Sequence, residues 1–173
     1  MYEILKYTDE VDKSLGITGM SIALMACDGE DYLATVSVEE GESTFDFSPD
    51  AFFLGNPRLS AKIAWTQIMK EFHIFSGMVL GNVMCRHIVT KHTVGQEIID
   101  ILHDLISEHG LKECSLDDDE IEDMFEKDFQ YFYRLFNHPV VSDAAREFAT
   151  TLRLHRRMTG GEVFENLSRL TTF

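Results

Sequence analysis

The chain is organised around residues 57–92, PRLSAKIAWTQIMKEFHIFSGMVLGNVMCRHIVTKH. Apolar side chains recur in this stretch at steps of three to five residues, and charged residues fall between them. Such spacing is typical of a helix, and the apolar positions are too many for a helix that lies on a surface. We therefore expect a long central helix, or two helices broken near Gly77, that begins at Asn56-Pro57.

Short runs rich in β-branched and aromatic residues precede the central helix, at residues 21–27, 32–38 and 44–47. Asp28-Gly29 separates the first two runs, and an Asp-Gly pair between apolar runs favours a hairpin. We therefore expect a three-stranded antiparallel meander. The central helix should cover its apolar face, because so small a sheet is not stable alone.

Two predicted helices flank the central one. Ser48-Pro49-Asp50 is typical of a capped helix start and predicts a short helix through residues 51–53. After the central helix, Thr93-x-x-Gln96 is a capping-box pattern, and the apolar stripe behind it predicts a helix that ends at Gly110.

Three more helices are predicted near the C-terminus. Ser115-x-x-Asp118 resembles a helix cap, and the acids that follow it suit the positive end of a helix dipole. Pro139 or Ser142 opens the next helix, and Thr159-x-x-Glu162 is a capping pattern for the last one. Each of these starts is followed by apolar residues at helical spacing.

These elements predict a fold of the α+β class that is predominantly helical. A small N-terminal antiparallel β-meander packs on a long central helix and a helical bundle. We expect a single domain over residues 1–173, with a β-rich part at 1–48 and a helical part at 49–173. No linker or internal repeat divides the chain.

Negative charge is abundant and unevenly distributed. The formal net charge is −15, with twelve acids and two bases in residues 1–50 and nine acids and one base in residues 113–128. An acidic surface repels phosphate backbones, so direct nucleic-acid binding is not expected. A basic protein partner, or imitation of nucleic acid, remains compatible with this charge, and so does a simple contribution to solubility.

Cysteine usage predicts a reducing compartment. The three cysteines, Cys27, Cys85 and Cys114, form no Cys-x-x-Cys pair, which favours free thiols over a disulfide framework. The residues before Cys27 carry the wrong charge for an export signal, and the charge-free part of the central helix is too short for a bilayer. We expect a cytoplasmic protein without a membrane segment.

Gly77 and Gly81 lie one helical turn apart in the central helix. Each glycine costs about 1 kcal/mol relative to alanine in a helix interior, so a compensating gain is expected. Either another helix approaches closely at this face, or the helix bends and opens a ligand cavity there.

Two groups of side chains in and after the central helix could hold a metal ion. Cys85, His87 and His92 are zinc-type ligands within eight residues, but they match no established zinc spacing and need a fourth group. Cys27, Cys114 and His73 are candidates for that fourth group. Four acidic residues on the next helix also have helical spacing: Glu97, Asp100, Asp104 and Glu108. They could bind a divalent metal ion together, or they could form the solvent-exposed face of the helix.

The C-terminal segment contains a local cluster of bases. Arg153, Arg156 and Arg157 precede Gly160 and Gly161, where the last helix begins. Arginines beside the free N–H groups of a helix start can hold a phosphate or a carboxylate. The acidic run at 113–128 is an alternative, internal partner for these arginines.

No nucleophilic elbow, phosphate-binding loop or catalytic triad is evident, so whether the protein is an enzyme stays open, as does any cofactor. The leading hypothesis is a non-enzymatic interaction or regulatory module that acts as a homodimer, because the apolar content suggests more apolar surface than one small domain can hide. The alternatives are a small-molecule-binding or metal-dependent enzyme with a cavity beside the central helix, and an acidic nucleic-acid mimic that binds a basic partner.

Overall fold

The structure is a computed structural model, and it describes residues 3–49, 61–90 and 93–172. The helices of these ranges are α1 (Glu10–Ala26), α2 (Ala61–Ile88), α3 (Gln96–Lys112), α4 (Asp118–Asn137), α5 (Pro139–His155) and α6 (Gly160–Leu167). The strands are β1 (Leu33–Ser37), β2 (Phe45–Phe47) and β3 (Arg157–Thr159). The predominantly helical α+β class is confirmed. The predicted helix at 51–53, the predicted helix start at Asn56-Pro57 and His92 lie outside the described residues.

Helix α2 occupies the centre of the molecule. It passes through Gly77 and Gly81 without a break, and α1, α3, α4 and α5 all pack against it. Phe72, Leu80, Val83 and Met84 are fully buried along it, as expected for a helix surrounded by others. The prediction of a long central helix is therefore confirmed for residues 61–88, and the alternative of a break near Gly77 is wrong.

The predicted strand at 21–27 is wrong, because residues 21–26 belong to α1. Asp9 caps this helix by accepting a hydrogen bond from the Asp12 backbone N–H at 2.8 Å. Thr18 and Ser21 are fully buried, and their hydroxyls donate to the carbonyls four residues back. Helix α1 is buried on nearly every side, and this packing outweighs the β propensity of residues 21–26. For the same reason its sequence has no separate polar and apolar faces that would indicate a helix.

The sheet is three-stranded and antiparallel, in the order β2-β1-β3. Strands β1 and β2 confirm the runs at 32–38 and 44–47, but the third strand comes from the C-terminal part, where Val36 pairs with Met158. The sheet is therefore not an N-terminal meander. Helices α5 and α6 provide its main helical cover, rather than the central helix, and a Cβ on Gly160 would lie 2.2 Å from the Leu33 carbonyl oxygen.

Helix α3 differs from its predicted bounds at both ends. It begins after Gly95, and Gln96 bonds to Asp100 at 2.8 Å instead of reaching back to Thr93, so the predicted capping box is wrong. The helix also continues through Gly110 to Lys112. Gly110 is required there for close packing, because a Cβ would lie 2.8 Å from the Phe72 ring.

The later helix starts are mostly as predicted. Helix α4 is capped by Asp117 and Glu120 in a capping box, two residues beyond the predicted Ser115. Pro139 stands at the start of α5, and the predicted Thr159–Glu162 box caps α6.

Within the described ranges, no helix has the length and the apolar character that crossing a bilayer requires.

Candidate functional site

A cavity of about 380 Å³ opens beside α2, where the N-terminal residues, α1, β2 and α3 meet it. Its wall is mainly apolar and includes a few polar residues. The described residues that line it are apolar at Leu5, Met20, Phe47, Phe75, Met78 and Val79, and polar at Tyr7, Glu71, Asn82 and His109.

Helix α2 supplies the floor of this cavity. Glu71, Phe75, Met78 and Asn82 follow one another at steps of four, three and four residues, so they share one face of the helix. This face has a polar residue at each end and apolar residues between them. The cavity is therefore polar at two points along an apolar surface.

Tyr7 reaches the cavity because the chain before α1 is held against two helices. A Cβ on Gly16 would lie 2.5 Å from the Tyr7 ring, so only glycine at this position of α1 lets the ring pack there. On the α2 side, the Asn82 side-chain amide donates to the Tyr7 hydroxyl oxygen at 2.8 Å. Burial raises the pKa of Tyr7, more than Asn82 and Arg86 lower it, so the phenol stays protonated.

Arg86 holds this arrangement together from one turn further along α2. Its guanidinium donates to both Asp12 carboxylate oxygens, at 2.6 and 2.7 Å, and to the Ile4 and Lys6 carbonyls. It also donates to the side-chain oxygen (Oδ1) of Asn82 at 3.2 Å, and this bond fixes the orientation of the side-chain amide. Burial disfavours the ionised Asp12, but the hydrogen bonds from Arg86 and Thr8 outweigh it and lower the pKa of that carboxyl.

His109 forms the opposite wall from α3. Its ring stacks on Phe75 with a centroid separation of 3.6 Å, and its Nε2 is buried without a hydrogen-bond partner among the described residues. Burial lowers the pKa of His109, although Glu113 acts in the opposite direction. The imidazole is therefore neutral at physiological pH, and it adds no positive charge to the cavity wall.

Glu71 is the acidic group of the cavity. Burial raises the pKa of its carboxyl, and the nearby charge of Glu113 raises it further. No Lys or Arg is among the described residues that line the cavity. The Glu71 carboxylate thus has no cationic partner among the described residues of the cavity wall.

Gly77 and Gly81 do not line this cavity, although Met78, Val79 and Asn82 do. A Cβ on Gly81 would lie 2.4 Å from the Gly19 carbonyl oxygen of α1. A Cβ on Gly77 would lie 2.9 Å from the Phe132 ring of α4. Both glycines therefore stand where another helix approaches closely, while the cavity opens on a different face of α2.

The C-terminal arginines contact the acidic N-terminal part of the chain, not the acidic run at 113–128. Arg156 lies 2.7 Å from Glu10 and 3.9 Å from Glu39, and Arg157 lies 3.7 Å from Glu42. Arg153 donates to the Ser14 hydroxyl at 3.3 Å. Gly160 packs on β1, and nothing lies within 4 Å of a Cβ on Gly161. The predicted anion-binding residues are thus dispersed: Arg156 and Arg157 face carboxylates of the same chain, and Arg153 donates to hydroxyl groups.

The predicted zinc ligands are not brought together where the structure describes them. Cys85 is fully buried against Gly19, and burial raises the pKa of its thiol strongly, which disfavours the thiolate that zinc requires. His87 is half-buried, and His92 is outside the described residues. Across the described ranges, no group of three His, Cys, Asp or Glu side chains is arranged to hold a metal ion.

Sequence reasoning missed one further polar pair. His73 Nδ1 lies 3.0 Å from the buried Asp128, and the Cys27 thiol donates to the His73 carbonyl at 3.6 Å. This Cys-His-Asp proximity is not a nucleophilic site, because the thiol bonds to the backbone and its pKa is raised to about 12 by burial.

The cavity residues were also missed, although one signal was present in the sequence. The mixed stripe of Glu71, Phe75, Met78 and Asn82 indicates a helix face that is neither core nor surface. Tyr7, Phe47 and His109 come from distant parts of the chain, and no local pattern marks them.

Comparisons with protein-family models, with curated proteins and with solved structures find no match to this chain. Its function is therefore argued from the chemistry of the cavity.

Proposed function

We propose that the protein binds a small, largely apolar molecule in the cavity beside α2. The observation that carries this proposal is the composition of the cavity: an apolar wall with a few polar residues, namely Tyr7, Glu71, Asn82 and His109. Ligand sites have this composition because apolar surface supplies affinity and a small number of polar atoms fix orientation.

The size of the cavity supports a small ligand. Its volume of about 380 Å³ falls near the lower end of the range of about 300–1,000 Å³ that is usual for ligand pockets. A ligand of this size would gain free energy mainly by burying its apolar surface, at about 25 cal/mol per Å².

Binding is favoured over covalent catalysis by the residues present. No Ser, Thr, Cys or Lys is among the described residues that line the cavity, so His109 has no nucleophile there to activate. The polar groups of the cavity can orient a molecule or exchange a proton with it. We therefore propose a binding or sensing role for this site.

The methionines provide a direct test. Met20 and Met78 line the cavity, whereas Met124 and Met158 are buried elsewhere in the core. NMR of isotope-labelled methionine methyl groups, titrated with naphthalenemethanol as a neutral apolar probe, should shift the Met20 and Met78 signals and leave the other two in place. Absence of a shift at Met20 and Met78 with this probe, and also with its amine and carboxylate analogues, would contradict the proposal.

A matched pair of variants locates the binding. Met78→Trp places a larger side chain in the cavity, and Met69→Trp makes the same change at a partly buried position of α2 that does not line it. The first should abolish the response of Met20 to the probe, and the second should preserve it. Equal responses in both variants would show that the probe binds elsewhere.

The homodimer, the basic protein partner and the cytoplasmic location stay predictions. The homodimer is predicted because the chain contains many apolar residues. Apolar side chains from every described α-helix pack into one core cluster, so this argument for a dimer is weaker. The large apolar side chains that remain exposed in the described residues are divided among several elements, with Leu154 on α5 the most exposed at 79%. Elution as a monomer at micromolar concentration would remove the homodimer hypothesis.

A further inference from the structure

We infer that the cavity selects a cationic ligand: a protonated amine on a compact apolar body, with the Glu71 carboxylate as its counter-charge. This inference rests on the proposed function and specifies the ligand class for the same cavity. It depends on the charges in and around the cavity and on the aromatic rings of its wall. It also depends on the free-energy cost of removing water from the Glu71 carboxylate when the ligand carries no positive charge.

The charges around the cavity are negative. Glu71 lines it, and Glu113 is near enough to raise the pKa of the Glu71 carboxyl. His109 is held neutral by burial and adds no positive charge. The whole chain, at −15, adds to the same field.

The cations near the cavity that the structure describes are already bound to other groups. Arg86 donates to Asp12, to two backbone carbonyls and to Asn82, and its guanidinium lies 5.1 Å from the Tyr7 ring centroid. Lys112, close to His109 on α3, donates to the Glu108 carboxylate. An incoming amine would therefore be the partner that Glu71 lacks among the described lining residues.

Aromatic rings strengthen the preference for a cation. Tyr7, Phe47 and Phe75 contribute ring surface to the wall. The face of an aromatic ring attracts a positive charge, and this attraction grows when the cation is withdrawn from water. Arg86 already lies over the Tyr7 ring and His109 is stacked on one face of Phe75, so the aromatic contribution is secondary to the charge of Glu71.

The other charge classes fit less well. An anionic ligand would meet Glu71 without any cation from the described lining residues to balance it, and like charges at short range repel. A neutral ligand would withdraw water from the Glu71 carboxylate and offer no charge in return. The expected order of affinity is therefore amine, then neutral alcohol, then carboxylate.

The Tyr7 hydroxyl is able to orient the rest of the ligand. Its oxygen accepts a hydrogen bond from Asn82, which leaves its own proton to donate. An amine that also carries a hydroxyl or carbonyl group would accept a hydrogen bond from this phenol.

Three probes with one aromatic body test the inference: naphthylmethylamine, naphthalenemethanol and naphthoate. Each is titrated at neutral pH while the Met20 and Met78 methyl signals report occupancy of the cavity. We expect the amine to bind about tenfold more tightly than the alcohol, from the combined ionic and cation–π attraction, and the carboxylate to bind most weakly. Equal affinity of amine and alcohol overturns the inference and leaves the proposed function standing, whereas failure of all three probes overturns both.

Glu71→Gln assigns the effect to one residue. This variant should bind amine and alcohol about equally, because the amide removes the charge and keeps the shape. Glu97→Gln, on an exposed position of α3, removes the same charge away from the cavity and should keep the amine preference. Retention of the preference in Glu71→Gln overturns the assignment.

A second measurement applies if Glu71→Gln does not fold. In the unmodified protein, the advantage of the amine over the alcohol should shrink as salt is raised, since salt screens the attraction between the ligand and the acidic groups. An advantage that is unchanged from low to high salt would contradict the role of Glu71.

Discussion

Gly19 of α1 and Gly81 of α2 bring the backbones of the two helices into direct contact. A Cβ on Gly19 would lie 2.0 Å from the Gly81 carbonyl oxygen, and a Cβ on Gly81 would lie 2.4 Å from the Gly19 carbonyl oxygen. A real Cβ atom does not approach another heavy atom to less than 3.0 Å. The atoms in the way are backbone oxygens, which cannot move aside as the end of a flexible side chain would. The close crossing of α1 and α2 therefore requires glycine at both positions, and it fixes how α1 carries Gly16 and Met20 toward the cavity.

The first prediction follows from this contact. Gly81→Ala should lower the free energy of unfolding by about 3 kcal/mol, because a new methyl group forces the two helices apart. Gly161→Ala is the control, since nothing lies within 4 Å of a Cβ there, and its effect should stay within about 0.5 kcal/mol. Urea unfolding monitored by circular dichroism measures both. Equal stability of the two variants would contradict the close contact.

The sequence predicts α3, α4 and α5 because each has an apolar face and a polar face. It predicts α2 from the length of its apolar pattern, and Pro139 and the Thr159–Glu162 capping box mark the starts of α5 and α6. Helix α1 escapes detection because residues 14–19 and 21–24 are buried on every side and leave no polar face to reveal the period. Strand β3 escapes because its partner, β1, lies about 120 residues earlier, and pairing at that separation leaves no local signal.

The cavity was predictable only on the α2 side. A polar–apolar–polar stripe from Glu71 to Asn82 is visible in the sequence, but its meaning depends on what faces it. Tyr7 is brought there by Arg86 and Asp12, and His109 by the packing of α3 on α2. The arginine cluster illustrates the converse, because its residues are adjacent in sequence but their side chains contact separate carboxylates, such as Glu10 and Glu42.

A second prediction concerns Arg86, whose side chain joins α2 to Asp12 and to the chain around Tyr7. Arg86→Met should cost about 3–5 kcal/mol of stability, because it leaves the half-buried Asp12 carboxylate without its partner. Arg86→Lys should recover little of this, since an ammonium group cannot make the paired bonds of a guanidinium. Arg157→Lys, at an exposed and longer ion pair, should change stability by less than about 0.5 kcal/mol. Recovery of full stability by Arg86→Lys in urea unfolding would refute the importance of the paired geometry.

A third prediction links two histidines to pH. The hydrogen bond to Asp128 raises the pKa of His73 above its ordinary 6.5, against the effects of burial and of Lys127. Burial lowers the pKa of His109 below 6.5. NMR titration of the imidazole C–H signals should therefore give a midpoint above 6.5 for His73 and below 6.5 for His109.

The stability effects of these two histidines have opposite signs. The stabilisation from His73 is fully present below pH 6.5 and is lost as the pH rises through its higher folded value. His109 acts in reverse: its folded state resists protonation, so the protein loses stability as the pH falls below 6.5. His73→Asn should remove the loss on the alkaline side and leave the acidic loss in place. An unchanged alkaline loss in this variant would exclude the His73–Asp128 pair as its source.

The fourth prediction concerns the three thiols. Burial raises the pKa of all of them, to about 12 for Cys27, to about 11 for Cys114 and strongly for the fully buried Cys85. Because the thiolate is the reactive form, the native protein should react slowly with an aromatic disulfide reagent at neutral pH, and Cys85 should react last. In denaturing urea all three should react at the rate of a free cysteine. Rapid modification of Cys85 in the native state would show that the α1–α2 interface opens, and would contradict the close packing that Gly19 and Gly81 impose.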